Sequence, residues 1–220
     1  MIFLNESILI LKKNIIFDFD GTLANTFDTI VDIANQFSRE FGYDEITNES
    51  LQEIQNLNSR EIVKLSKISV LKIPALLYVV KNELNKHIQT IQPIDGIDSV
   101  LRTLGSMGHQ LGIVSSNSQE NIYQFIDLHQ WNDIFNVICC GTTIFGKAQV
   151  LSKLLKTQNL SADEVIYLGD ETRDIDAAKK VNIKVIGVTW GFNSRSVLAA
   201  HDPDFLIDRP EEILDVIAQL

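Results

Sequence analysis

Short, nearly continuous apolar runs recur along the chain at 14–18, 108–116 (GHQLGIVSS), 135–140 (FNVICC), 164–170 (EVIYLGD), 184–190 (KVIGVTW) and 204–208 (DFLID). Runs of this length predict strands buried on both faces. Between them the apolar period changes to that of a helix: Ile97, Val100, Leu101 and Leu104; Ile122, Phe125 and Ile126; Val150, Leu151, Leu154 and Leu155; Ile213, Leu214 and Ile217. Strand and helix alternate, which predicts an α/β fold with a parallel sheet covered by helices.

One region breaks the alternation. From Thr26 to Gln92 helix follows helix, with no convincing strand. Phe27, Ile30, Val31, Ala34, Phe37 and Phe41 keep helical spacing, and Gly42 is placed to end that helix. Asn58 with Glu61 has the form of a capping box, and Pro74 suits the first turn of a longer helix running towards Ile91. The expected organisation is a sheet domain of residues 1–25 and 93–220 with a helical module, 26–92, inserted into it. The amino-terminal MIFLNESILILKK lacks a positive leader and a small-residue cleavage site, and its apolar run is too short to span a membrane. It is expected to be an edge strand or an extension.

The formal net charge of -10 disfavours a nucleic-acid or anionic-membrane partner, since both need clustered Lys and Arg. The only two cysteines, Cys139 and Cys140, are neighbours, a poor arrangement for a structural disulfide. A cytoplasmic protein is the expectation.

Ligands of an open parallel sheet sit at the carboxyl ends of its strands, and those ends carry the polar groups here. The first offers Asp18 and Asp20, followed at once by Gly21; the second Ser115, Ser116 and Asn117, entering a helix whose first N–H groups favour an anion. Lys147 opens another helix, where a cation works against the dipole unless it faces an anion, and GDETRD supplies Asp170 and Asp174. Clustered acids repel unless a hard cation such as Mg2+ holds them together. The mixture suits metal-assisted phosphoryl transfer: one Asp attacks, another moves the proton, and the lysine and a hydroxyl steady the charge on the phosphate.

DFDGTLANT, IVSSN, Lys147 and GDETRD together, in that order, resemble the four motifs of the haloacid dehalogenase superfamily. The resemblance implies a Rossmann-like core with an inserted α-helical cap that closes over the site. It implies Asp18 as nucleophile and Asp20 as general acid and base, with the Asp20 backbone carbonyl also reaching the metal. Ser115 and Lys147 take the places of the second and third motifs, and Asp170 and Asp174 those of the metal-binding fourth. On this alignment Gly21, Ser115, Ser116, Asn117 and Lys147 surround the substrate phosphate, while Asp18, Asp20, Asp170 and Asp174 attend Mg2+. Ser115 aligns best, and Ser116 and Asn117 stand beside it as further donors.

The closing stretch VTWGFNSRSVLAAHDPDFLIDRPEEIL also resembles phosphoglycolate-phosphatase-like members. The resulting expectation is a Mg2+-dependent phosphatase of a small phosphorylated metabolite, a phosphoglycolate-like monoester, working as a monomer or homodimer. Its rivals are a phosphosugar mutase of β-phosphoglucomutase type, a hydrolytic dehalogenase, and a non-catalytic binding protein on the same fold. Dehalogenation is disfavoured because a halide leaving group needs no acid such as Asp20.

Other residues keep blander readings. Arg60 is either a substrate-facing group of the cap or a solvated arginine. Lys64, Lys67, Lys81, Lys86 and His87 read as a solvated helix face, and Glu171 as a solvated acid at a helix start. His109, His129 and His201 occupy no metal-ligand spacing. Trp190 and Phe192 flank Gly191 in a loop that either packs on the core or lies near the site. Asn25 stands where many capped relatives carry Asp, a departure expected to touch the hinge and not the chemistry.

Overall fold

A computed structural model describes residues 12–141 and 146–220, so the amino-terminal apolar segment lies, up to residue 11, outside the described residues. Six strands, β1 (Asn14–Phe17), β2 (Gln110–Val114), β3 (Phe135–Cys139), β4 (Val165–Gly169), β5 (Lys184–Val188) and β6 (Phe205–Ile207), form one sheet. Their order is β3-β2-β1-β4-β5-β6, with every pairing parallel. The α/β expectation holds. Chain order reverses at β1 and β4, where a parallel sheet opens the crevice that takes ligands.

The helices are α1 (Phe27–Phe41), α2 (Asn48–Ile54), α3 (Ser59–Leu65), α4 (Ile73–His87), α5 (Ile97–Ser106), α6 (Gln119–Leu128), α7 (Lys147–Gln158), α8 (Thr172–Lys180), α9 (Arg195–Ala200) and α10 (Glu212–Ile217). The period-2 alternation of the strands distributes their side chains between two buried layers. Ile15, Phe17, Leu111, Ile113, Ile166, Leu168, Ile186 and Val188 meet α5, α6 and α10 on one face; Ile16, Val114, Val165, Tyr167 and Val185 meet α7, α8 and α9 on the other. Both faces are covered, which is why the strands read as continuous apolar runs. Each of these fully buried side chains contributes about 1.5–3 kcal/mol over leaving it in water.

Helices α1 to α4 occupy the stretch between β1 and α5. The chain leaves and re-enters side by side: the Asn25 N–H donates to the Gln92 carbonyl at 2.9 Å, and the Ile94 N–H to that of Leu23 at 2.9 Å. Gly42, with φ of 80°, adopts the left-handed conformation that ends α1, and its N–H returns to the Ser38 carbonyl. Asn58 caps α3, accepting the N–H groups of Arg60 and Glu61, while Glu61 accepts that of Asn58. Ile33, Leu84 and Ile88 join the buried cluster that holds Phe19, Leu23, Ile122 and Phe125. By contrast α2 and α3 bury no residue at all. Among the described residues no helix is long and apolar enough to cross a membrane.

At Gly112 three strands crowd together. A Cβ there would stand 2.5 Å from Val137 Cγ1, 2.7 Å from Ile16 Cδ1 and 3.0 Å from the Val137 carbonyl oxygen. Gly112→Ala is therefore expected to destabilise the fold by about 1–3 kcal/mol through overpacking. The measurement is a urea titration, in which the midpoint should fall while the slope is kept.

Candidate active site

The loop after β1 sorts its side chains by where they find partners. Phe19 turns into the core, its ring 5.1 Å from that of Phe125 and perpendicular to it. Asp18 and Asp20 are left on the polar side, as the spacing of the two acids anticipated. Asp18 is 2% exposed; its Oδ1 accepts the Phe19 N–H at 2.8 Å and its Oδ2 accepts Lys147 Nζ at 2.8 Å. Gly21 lies at φ of 72°, and a side chain there would collide with the Asp170 carboxylate. A side chain at Gly191 would collide with the same carboxylate.

Asp170, directly after β4, is fixed at both oxygens: Thr22 Oγ1 donates to Oδ1 at 2.8 Å and the Phe192 N–H to Oδ2 at 2.7 Å. Asp174, in the first turn of α8, accepts the Glu171 N–H at 3.0 Å and is ion-paired to Lys147. The Lys147 ammonium thus lies buried between Asp18 and Asp174, above the Tyr167 ring at 5.4 Å from its centroid. Carboxylate oxygens of Asp18, Asp170 and Asp174 come within 4.8 Å of one another.

Asp20 faces elsewhere. Asn117 Nδ2 donates to both of its oxygens, at 2.9 and 3.0 Å, so its carboxylate stands apart from that cluster. The Asn117 side chain, expected to serve an anion, is engaged by Asp20, and its backbone N–H donates to Ser115 Oγ at 3.0 Å. Accepting there leaves the Ser115 hydroxyl hydrogen free to donate elsewhere. Ser115 is fully buried at the end of β2, whereas Ser116 is half-buried.

Burial sets the titration of these groups. It raises Asp170 far above the ordinary carboxylate range, helped by Glu171, Asp18 and Asp174. Burial likewise lifts Asp174 to about 6 against the pull of Lys147, and burial with the Asp18 charge lifts Asp20 to about 7. Burial pulls Lys147 down, but Asp174 and Asp18 together carry it above its usual value. Clustered carboxylates that resist ionisation, presenting oxygen donors only, match a hard divalent cation in donor type and charge.

A family model for haloacid dehalogenase-like hydrolases matches residues 15–188. The chain belongs to that family. A phosphoglycolate phosphatase of Synechococcus elongatus is 38% identical over 206 residues, covering 94% of this chain and 97% of the relative. A pyrophosphatase of Bacillus cereus is 22% identical over 215 residues, with 94% and 97% covered. The crystal structure of a predicted phosphatase from Clostridium acetobutylicum superposes with a TM-score of 0.81 at 20% identity, covering 96% of this chain and all of that one, a likeness of fold.

Around the hydrolase motifs stand further groups, some with the partners the sequence suggested and some with others. Arg60 lines a cavity of about 300 Å3 together with Asn58, Ser59, Lys147, Thr172 and Arg173. Arg173 is ion-paired with Glu171, so Glu171 is not the solvated acid expected. Lys81 departs from the solvated face assigned to it: it is half-buried, burial lowers its pKa, and the Asp20 charge opposes that shift. Its carbonyl accepts Asn121 Nδ2 at 3.0 Å, and the same amide donates to Asn117 Oδ1 at 2.9 Å. A hydrogen-bonded path therefore runs from Asp20 through Asn117 and Asn121 to α4. The loop holding Trp190 and Phe192 meets both readings, for Trp190 packs against the core while its Nε1 donates to the Thr22 carbonyl, beside the site, at 3.2 Å.

Asp20 and Asp174 remain protonated in the folded chain over a pH range in which the unfolded chain, at its ordinary value of 3.8, has lost those protons. The folded state binds more protons there, so stability falls as pH rises between about 4 and about 7. With a chelator present, urea midpoints of the wild type are expected to fall across that window relative to those of Asp20→Asn. A metal-free difference that is flat or rises with pH would contradict the burial argument.

Proposed function

We propose that this hydrolase is a Mg2+-dependent phosphatase of a small phosphorylated metabolite, a monoester of the phosphoglycolate kind, acting through an aspartyl-phosphate. The observation that carries this reading is the buried Asp18–Lys147–Asp174 arrangement beside Asp170 at the carboxyl ends of β1 and β4. The 38% identity to a phosphoglycolate phosphatase supports the substrate class. The proposed division of the chain is a catalytic core of residues 1–25 and 93–220 and a cap of residues 26–92.

Asp18 Oδ attacks phosphorus while the bond from phosphorus to the ester oxygen breaks, and Asp20 gives its proton to the departing alkoxide. Asp20 then takes a proton from the water that cleaves the acyl-phosphate, releasing inorganic phosphate and restoring Asp18. A group titrating near 7 can both give and take that proton at neutral pH. The Lys147 ammonium and the Ser115 hydroxyl steady the non-bridging oxygens. Asp18, Asp170 and Asp174, with the Asp20 carbonyl, would hold Mg2+, which neutralises the carboxylates and the phosphate they must approach.

Phosphate release from a panel of phosphorylated metabolites with Mg2+ tests the reading. Asp18→Asn is expected to lose about a thousandfold or more of turnover, and wild-type turnover in that variant would refute the nucleophile assignment. Asp20→Asn is expected to lose about a hundredfold or more on an alkyl phosphate. On p-nitrophenyl phosphate, whose leaving group needs no proton, the same variant should release nitrophenol in an initial burst and then turn over slowly. Isomerised sugar phosphate with little free phosphate would favour a mutase, and chloride release from a 2-haloacid without Mg2+ a dehalogenase.

A further inference from the structure

The loop after β5 touches the site and the inserted helices at once. Phe192 supplies a backbone N–H to the Asp170 carboxylate, and the next residue, Asn193, donates its own backbone N–H to the Asp170 carbonyl at 3.2 Å. Asn193 is 2% exposed, and its side chain uses both ends. Oδ1 accepts the Thr172 N–H, at the start of α8, at 2.8 Å; Nδ2 donates to the carbonyls of Gln55 and Leu57, each at 3.1 Å. Ser194 extends the attachment, its N–H to the Gln55 carbonyl at 2.9 Å and its hydroxyl to Asn56 Oδ1 at 2.5 Å, and Ser196 adds a second hydroxyl to Asn56 Oδ1 at 3.1 Å.

The turn so held joins α2 to α3, two helices with no buried residue to fix their place by apolar packing. It leads straight into Asn58, Ser59 and Arg60, which share a cavity with Lys147 and Arg173. A buried amide making complementary bonds at both ends is lost at greater cost than an exposed one.

We infer that Asn193 is a positioning residue of the reaction: it fastens the 55–57 turn, and with it Asn58, Ser59 and Arg60, over the segment that carries Asp170 and Thr172. This rests on the phosphatase reading for its kinetic consequence and on the geometry alone for its structural one. Asn193 touches no reacting atom in the mechanism proposed. It acts by setting the wall against which the non-phosphate part of the substrate lies.

Asn193→Asp separates the two ends of the amide. It keeps the oxygen that accepts the Thr172 N–H but turns a carboxylate oxygen towards two carbonyls, so the core-side bond survives and the insertion-side bonds do not. By hydrogen exchange the Thr172 amide should stay protected, while amides of 55–60 exchange about tenfold faster or more. In steady-state assays with 2-phosphoglycolate and Mg2+, KM should rise about tenfold with a smaller change in kcat, since binding contacts are lost that ground and transition state share. Asn56→Ala, at an exposed position, should shift both readouts in the same direction by less.

Unchanged exchange in 55–60 of Asn193→Asp would overturn the inference. So would faster exchange with KM and kcat both intact, which would leave Asn193 a merely structural residue. If the unaltered protein releases no phosphate from any ester, the phosphatase reading falls, and the exchange measurement still decides whether Asn193 holds the turn.

Discussion

The structure depends on one buried cation. Lys147 opens α7, where the helix dipole disfavours positive charge, and it is almost wholly withdrawn from water. Neither condition is tolerable without Asp18 and Asp174 on either side, and those acids are equally intolerable in the interior without the ammonium. Each member of the set makes burial of the others possible. The sheet supplies the geometry: β1 and β4 are paired neighbours whose ends deliver Asp18 and Asp170 side by side, and α7 and α8 direct Lys147 and Asp174 at the same point.

A second constraint concerns the inserted helices. Only part of the insertion, through Ile33, Leu84 and Ile88, shares the apolar core. Polar contacts from two places on the core add to this, and α2 and α3 have no buried residue of their own. Asn193 and Ser194 grip the α2–α3 turn from the loop that supports Asp170, and Asn121 grips α4 from the path that ends on Asp20. Hydrogen bonds of this sort contribute about 1 kcal/mol each, well below a buried apolar side chain. An element attached mainly in this way can release and re-form its contacts at low cost, whereas a sealed apolar interface cannot.

Much of this was legible in the sequence, and what was legible shared one property: it was local. Strands with both faces buried read as unbroken apolar runs, Gly42 and Asn58 announced the end and the start of helices, and the acids and lysine appeared at the strand ends where a parallel sheet places its ligands. Asn193, Asn121 and Thr22 left no such mark, because their importance lies in partners far away in the chain: Thr22 meets Asp170, and Asn193 meets Gln55. Lys81 was misread for the same reason. Its helix looks solvated along one side until the core is placed beneath it, and only then does Asp20 come close enough to act on its charge. Asn117 showed the limit of reading by residue type, since an amide beside two serines suggests an anion site until Asp20 takes up its donors.

The two acids of the first motif are chemically alike and differ only in surroundings. Asp18 has a buried ammonium at 2.8 Å and a backbone N–H at the same distance. Asp20 is buried and faces the charge of Asp18, which together favour the proton and, against the opposing pull of the Asn117 amide, place its titration near 7. The two carboxylates are thereby given different partners, one a cation and the other a neutral amide, and Asp20 is tuned as the proton carrier that acid–base chemistry on a shared substrate requires. Phe19 makes this possible: by entering the core it leaves both acids on the polar side of the loop, one beside Lys147 and the other beside Asn117.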